Sequence, residues 1–582
     1  MDAKSGTYIE ELSGTPLQKF FSLLAMEKQD IGLVYSYAIF NGFINLSLPL
    51  GIQAIMSLVL TGQPTTSWGV LVFIVLVGIL FSSGLQIMQY TIIERLQQRI
   101  FTRATFEFAF RVPRMKLEAK LKSYAPELMN RFFDIMTLQK GLPKILVDFS
   151  ASVLQILFGL ILLAFYHPFF VFYGVMVVGA ITTLLFLTSK KGMYTSLKES
   201  SYKYETAHWL EELARAMNIF KLAGYTDMPL KTTDKAVSNY LDFRRKHFKV
   251  LLGQYRLIVA FKILITGGLL IIGSFLVFDR QINIGEFVAS EIIIILILNS
   301  AEKLFSGIET IYDVLTGVEK ISHITQHPIE GEEGIAFEDI DDGKGVHIHF
   351  KNVSYTYPGN HHMALKDISV NFGSGEKVCI MSTAGAGAST LINLSASLLH
   401  QYQGNILVND ITMKNLNLIS LRSYVGENLY FNEIMNGSIA ENISMGRDDI
   451  SFEDVLKVSA IVGLKDFVQG LPNGFNTEII QHDMTIPSSI AAKINIARSL
   501  AEHPRLFIMD EPFVGIGQED KDSICEFLTN RNTPWTLIVS TNDHAMVSRC
   551  DRVIIMDHSE IVADGTPSEI EKHPIYASLI KK

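Results

Sequence analysis

Six apolar stretches, each long enough to cross a hydrocarbon layer, fill the first half of this 582-residue chain, at about 31–60, 68–93, 145–166, 168–189, 251–278 and 283–305. A layer about 30 Å thick takes about 20 helical residues, and within it a helix satisfies all its own backbone donors and acceptors. Runs of this length therefore read as membrane-spanning helices. Only Tyr166, His167 and Pro168 separate the third and fourth, so these two form a tight hairpin. The proline breaks the helix there, and His167 reads as a polar turn residue. A hydrophobic content of 48% fits the same class and exceeds what one soluble domain of this length requires.

The connecting segments set an orientation. Thr61 to Ser67 and the 3–4 turn carry no lysine or arginine, and the 5–6 turn has only Arg280. The 2–3 connection carries Arg95, Arg99, Arg103, Arg111, Arg114, Lys116, Lys120 and Lys122, and the 4–5 connection Lys190, Lys191, Lys198, Arg244, Arg245 and Lys246. By the positive-inside rule the two long connections are cytoplasmic. Residues 1–30 show no cleavable signal peptide and are expected in the cytosol, with 16–26 lying on the membrane surface as a short amphipathic helix that puts Phe20, Phe21 and Leu24 in the interface. A formal charge of -9 and the lack of a basic arm exclude nucleic acid as a partner. Cys379, Cys525 and Cys550 have no metal-ligand spacing and read as small core residues in a reducing compartment.

Ionisable residues in or near the spans are few: Lys144, Asp148, Arg256, Lys262, Glu286 and Glu291. Such groups are costly in hydrocarbon and usually face a cavity or each other. Glu291, followed directly by IIIILIL, is the candidate for a membrane pathway; the plainer reading places it near the interface or pairs it with a cation such as Lys262.

Composition changes near residue 325. The expected organisation is an N-terminal segment (1–30), a transmembrane domain (31–325), an acidic linker (326–345) and an α/β domain (346–582). Within the last, GEKVCIMSTAGAGASTLINLSASLL sets a strand, a glycine-rich turn and a helix in succession, the setting of a phosphate-binding loop. A working loop reads G-x-x-x-x-G-K-[ST], with amides cradling phosphates, a lysine on the β/γ-phosphates and a hydroxyl on Mg²⁺. Here Ser382 stands for the first glycine and Ala388 for the lysine, while Gly385, Gly387, Ser389 and Thr390 remain.

The surrounding segments VSYTYPG (353–359), SIAENISMG (438–446), LPNGFNTEI (471–479), INIARSLAEHPRLFIMDEP (494–512) and RVIIMDHSEIVADGTPSEI (552–570) resemble the ABC exporter family, and the resemblance covers essentially the whole chain. YAPELMNRFFD (124–134) looks like the first coupling loop of such exporters, and the long 4–5 connection like the second. Within the family the chain most resembles exporters of the toxin- and peptide-secretion type, without their peptidase domain. The implied fold is an all-α six-helix transmembrane domain followed by an α/β P-loop nucleotide-binding domain.

The resemblance also implies what is missing. In the family, ATP lies between the phosphate loop of one nucleotide domain and an LSGGQ signature of another; here the signature reads IPSSI (486–490). Pro487 removes a backbone donor, and Ser488 and Ser489 are expected to serve as N-caps of the next helix. The Q-loop position is Glu427, the switch-histidine position is Asn542, and the D-loop reads Val514, Gly515, Ile516 and Gly517, with His544 expected as a surface residue. Tyr357 could stack on adenine, Asp510 could hold Mg²⁺ with Ser389, and Glu511 stands at the position of the general base; the plainer reading of the two acids is strand-end and loop-capping. ATP and Mg²⁺ are thus expected to bind weakly or not at all.

Two functional readings follow: a catalytically degenerate subunit of an export complex, or an ATP-independent membrane scaffold built on the exporter fold. Either lies in the lipid bilayer, expected to be a bacterial inner membrane, with N-terminus and nucleotide domain in the cytoplasm. The expected partners are a second copy or another half-transporter, and a membrane-fusion or other envelope protein.

Overall fold

The computed structural model describes residues 14–60, 66–120, 129–325, 327–429, 433–480 and 486–580. The chain divides into two compact units, Met1–Pro113 with Ser123–His327, and Arg114–Lys122 with Pro328–Lys582.

The first unit is helical. Its apolar runs form the helices Lys28–Asn45 with Ser47–Leu60, Thr66–Arg111, Ser150–Tyr166, Pro168–Arg215, Met228–Phe278 and Ile284–Thr325. The break at Leu46 follows from Pro49, which lacks an N–H for the Asn45 carbonyl and crowds it. Among the described residues five helices are long and apolar enough to cross a membrane. The expected fourth span lies in Pro168–Arg215, several of whose side chains between 171 and 188 are outside the description. The 46 residues of Thr66–Arg111 span about 69 Å at 1.5 Å per residue, more than twice the hydrocarbon thickness, so the helix runs well beyond the layer. Of the stretch 124–134, residues 124–128 lie outside the described residues.

Polar side chains tie the spans together. Gln89 donates to the Val34 carbonyl at 2.9 Å, and the Ser82 hydroxyl bonds the Asn41 and Asn45 amide oxygens. With only apolar tails around them, such bonds supply association that hydrophobic burial alone does not. His167 caps the helix Pro168–Arg215, its Nδ1 accepting from the Phe169 amide at 3.2 Å.

Two expectations are corrected here. The helix Pro16–Ala25 forms, opened by a capping box of Thr15 and Gln18. Phe20 and Leu24, however, are buried against Val34, Ile93, Leu96 and Leu138, and Lys19 beside them bonds Glu319 at 2.8 Å; Phe21 alone of the three points outward. The helix docks on protein instead of lying in an interface. Lys262 pairs with Glu302 at 3.1 Å, not with Glu291, which is half-buried.

The second unit contains a six-stranded sheet in the order β12-β11-β3-β10-β9-β6, with β3 at Lys377–Ser382, β6 at Val425–Asn428, β9 at Leu506–Asp510, β10 at Thr536–Ser540, β11 at Arg552–Asp557 and β12 at Glu560–Gly565. All pairings are parallel except β11 with β12. β1 (Ile348–Tyr355), β2 (Leu365–Phe372), β4 (Gln403–Val408) and β5 (Ile411–Thr412) form an antiparallel sheet, and β7 (Gly437–Ser438) pairs with β8 (Glu478–Ile479). β3, β9 and β10 are buried almost throughout because the main sheet is covered on both faces, one by the antiparallel sheet and one by helices. The three cysteines are free and buried.

Residues 328–345, expected as a linker, belong to this unit: Ile335 bridges to Leu416, and Phe337 is fully buried against Tyr424. Residues 114–120 belong to it too. Met115 bridges to Ile329, and Glu118 accepts from the His400 and Gln401 amides. Burial alone would raise the Glu118 carboxyl, but the His400 ring and these amide bonds outweigh it and bring it down to about 2. Its ionised form therefore stabilises the unit above the ordinary carboxylate range, and that contribution fades as pH falls toward about 2. Glu118→Ala leaves two part-buried amides without their acceptor and should cost about 1 kcal/mol. Hydrogen exchange at His400 and Gln401 is expected to quicken roughly tenfold at neutral pH. Unchanged exchange there would show that Glu118 carries no load.

Candidate nucleotide site

Five parallel strands, β11, β3, β10, β9 and β6, have their carboxyl ends at one side of the main sheet. The register sets Ser540 opposite both Asp510 and Ile380, and Asn428 opposite Met509. Sites in open parallel sheets form outside such carboxyl ends. Topology alone thus gathers Ser382, Glu427, Asp510, Glu511 and Asn542.

The loop after β3 turns at Gly385 (φ +79°) and Gly387 (φ +96°), both in the left-handed region. At Gly387 a Cβ would lie 2.2 Å from the Ala364 carbonyl oxygen, so glycine is the residue that fits. The helix Ala388–Ser395 starts next, and its first amides have no partner within the helix, which leaves donors facing the loop. Ala388 is buried, Ser389 is exposed, and the Thr390 hydroxyl lies 3.1 Å from that of Tyr357. Tyr357 therefore leans over the start of the phosphate-loop helix.

The strand ends that follow hold acids and an amide. Asn542 makes a two-point contact with the Ser382 backbone, its Oδ1 accepting from the Ser382 amide at 3.2 Å and its Nδ2 donating to the Ser382 carbonyl at 3.1 Å. The side chain at the switch position is thus spent on holding the phosphate loop. Glu511 adopts φ +44°, unusual for a residue with a Cβ, while its amide donates to the Ser540 carbonyl at 2.8 Å. Thr541 donates to its carboxylate at 3.4 Å. The Glu427 side chain is exposed, yet the protein around it raises its carboxyl, Glu433 adds to that, and the Leu429 amide and Arg498 offset part of it. Asp510 ends β9 beside Glu511.

At the signature position the helix Ser488–Ala501 begins, and the expectation of serine caps is corrected. Pro487 occupies the N-cap, with no side-chain bond, and Ser488 and Ser489 are the first two helical residues. A Cβ at Gly515 would lie 3.6 Å from the Ser488 hydroxyl and 3.9 Å from the Ser489 amide, so the D-loop and signature positions are neighbours. His544 is exposed. Glu291 belongs to the other unit and has no place in this site.

One contact was not foreseen. Thr383, inside the phosphate loop, donates to Asp557 at 2.6 Å, and this hydroxyl with His558 lowers the Asp557 carboxyl. An acid ending the strand next to the phosphate-loop strand was the available signal.

The family model described as the ABC transporter transmembrane region matches residues 31–301, and that of the ABC transporter matches 365–514. The chain belongs to the ABC exporter family as a half-transporter, a transmembrane region and a nucleotide-binding domain in one polypeptide, and is an integral membrane protein. It is 25% identical over 64% of its length to the alpha-hemolysin translocation ATP-binding protein HlyB of Escherichia coli O157:H7, of which it covers 53%. It is 26% identical over 54% of its length to the ABC transporter ATP-binding protein YwjA of Bacillus subtilis, covering 55% of that protein. The chain thus spans about half the length of these relatives. Its fold is similar to that of a bacterial Atm1-family ABC exporter solved with ATP bound, at a TM-score of 0.84 and 17% identity over 95% of this chain and 98% of that one.

Asn542→Ala removes both bonds to Ser382 and should destabilise the second unit by about 1–3 kcal/mol. Thermal unfolding of the purified chain reads this as a lowered transition. An unchanged transition would mean that the amide contact contributes nothing.

Proposed function

We propose that this chain is a catalytically degenerate half-transporter, a membrane subunit of an export complex whose nucleotide domain hydrolyses ATP weakly or not at all. One observation carries the reading: at the candidate nucleotide site the phosphate-loop lysine, the switch histidine, the Q-loop glutamine and the signature glycines of the family pattern are all replaced, while the backbone cradle and the acids Asp510 and Glu511 remain. The turn at Gly385 and Gly387 and the first amides of the following helix fit a phosphate group. Tyr357 would face the base, and Ser389 with Asp510 would hold Mg²⁺. When bound, Mg²⁺ supplies charge neutralisation to the phosphates. Ala388 offers nothing to them beyond its amide, and Asn542 is already bonded to Ser382. The remaining side chains with charge at these positions are Glu427, Asp510 and Glu511, all acids, which oppose a γ-phosphate.

Magnitudes separate weak binding from hydrolysis. A missing charge-assisted contact costs about 1.5–3 kcal/mol, or tens- to a hundredfold in affinity. Each preorganised transition-state donor is worth on the order of 10²–10³ in rate. Two copies paired face to face would join an Ala388 loop to a Pro487-Ser488-Ser489 signature at both sites; pairing with an intact half-transporter would leave one damaged element in each. The basic connections between spans support a reading with the nucleotide domain and N-terminus on the cytoplasmic side, the membrane being a bacterial inner membrane. A membrane-fusion or other envelope protein is the further partner this reading admits.

Purified full-length chain in lipid is expected to release phosphate from ATP at the background rate, and Ala388→Lys alone to leave that rate unchanged. Vanadate-sensitive turnover by the unmodified chain would overturn the proposal.

A further inference from the structure

Three cations collect at one end of the first unit without a use in the nucleotide site. Spans alternate in direction, so the end of the second apolar stretch, the start of the third and the end of the sixth share one membrane face. Arg95 follows the second stretch, Lys144 immediately precedes the third, and Lys303 lies in the last turn of the sixth. This is the face that carries the long basic connections.

Lys144 and Lys303 line a common cavity of about 270 Å³ with Asp148, Ser306, Ile145 and Phe149. Pro143 ends a regular helical stretch, and residues Lys144–Phe149 widen into a π-turn, a local geometry frequent at functional positions. Tyr90 and Arg95 line an adjoining recess with Glu94 and Pro143. Of the acids near this region, Glu94 accepts from Gln98 at 2.9 Å, and Asp148 lines the same cavity as the two lysines without an ion pair to either. Among the described residues, Arg95, Lys144 and Lys303 have no ion-pair partner.

Exposed cations at a hydrocarbon boundary, between two spans and beside apolar walls, meet the requirements of a lipid phosphate. Basic pockets between transmembrane helices on the cytoplasmic side are a known way to hold anionic head groups. The stem of each lysine can lie along Ile145 and Phe149 while its ammonium reaches the boundary. A cavity of this size admits a head group and leaves the acyl chains outside. We infer that Lys144 and Lys303, with Arg95 alongside, form a binding site for the phosphate of an anionic phospholipid.

Native mass spectrometry of the detergent-purified full-length chain, titrated with phosphatidylglycerol or phosphatidylcholine, tests this. Phosphatidylglycerol is expected to bind more tightly, with a loss of roughly fivefold for each of Lys144→Gln and Lys303→Gln, the scale of one basic residue at an anionic surface. Asp148→Asn removes the opposing charge while keeping the side chain's size, and should tighten phosphatidylglycerol binding; it keeps the inference testable if the lysine variants fail to fold. Equal affinity for both lipids, or lysine variants that match the unmodified chain, would overturn it. So would inorganic phosphate displacing phosphatidylglycerol at equal concentration, since the site would then hold a soluble anion and not a membrane lipid.

Discussion

The parallel pairing of β3 with β10 on one side and β11 on the other is the constraint from which the second unit follows. Parallel strands need crossovers, crossovers cover both faces of the sheet, and strands covered on both faces must be apolar throughout. β3 meets that demand with KVCIMS, where even Lys377 is buried: its ammonium donates to the Trp535 carbonyl at 2.5 Å, and burial brings its pKa down to about 8. Because the strands run the same way, their carboxyl ends meet at one edge, and whatever side chains lie there become a site. The fold creates the location without deciding its chemistry.

That separation explains how a nucleotide domain can lose its chemistry and keep its shape. Gly387 is held by a steric requirement, since any Cβ there would strike the Ala364 carbonyl. A lysine at position 388 answers to a ligand and not to the fold, and Ala388 is buried there among the core side chains. Asn542 goes further, because its amide pairs with both backbone groups of Ser382 and so contributes to holding the loop. The substitution at the switch position therefore has a structural role of its own.

What was legible in the sequence follows the range of the interactions involved. Span positions, the glycine turn and the strand-turn-helix order depend on residues close in the chain, and each stands where periodicity and turn chemistry put it. Contacts over long separations were not legible. Lys262 chose Glu302 over Glu291, although both acids lie on the same helix, because facing across two packed helices depends on their rotation and offset. Glu118 binds amides about 280 residues away, and nothing in LEAK distinguishes a docking acid from a solvated one. Phe20 and Leu24 show the same limit: an amphipathic pattern specifies a face to be buried, and leaves open whether lipid or protein covers it. Ser488 and Ser489 show a finer one, a one-residue shift in where a helix starts, caused by Pro487 taking the cap with an extended backbone.

The acids that remain differ in what holds them. Glu511 keeps a left-handed backbone conformation that costs on the order of 1–3 kcal/mol for a residue with a Cβ, and a strand-end turn could be made more cheaply by glycine or asparagine. Its amide bond to Ser540 would survive either replacement, so that bond does not account for the carboxylate. The bond from Thr541 does use the carboxylate, at 3.4 Å, which is too long to offset such strain. Position 511 therefore carries a conformational cost that neither of these two bonds offsets.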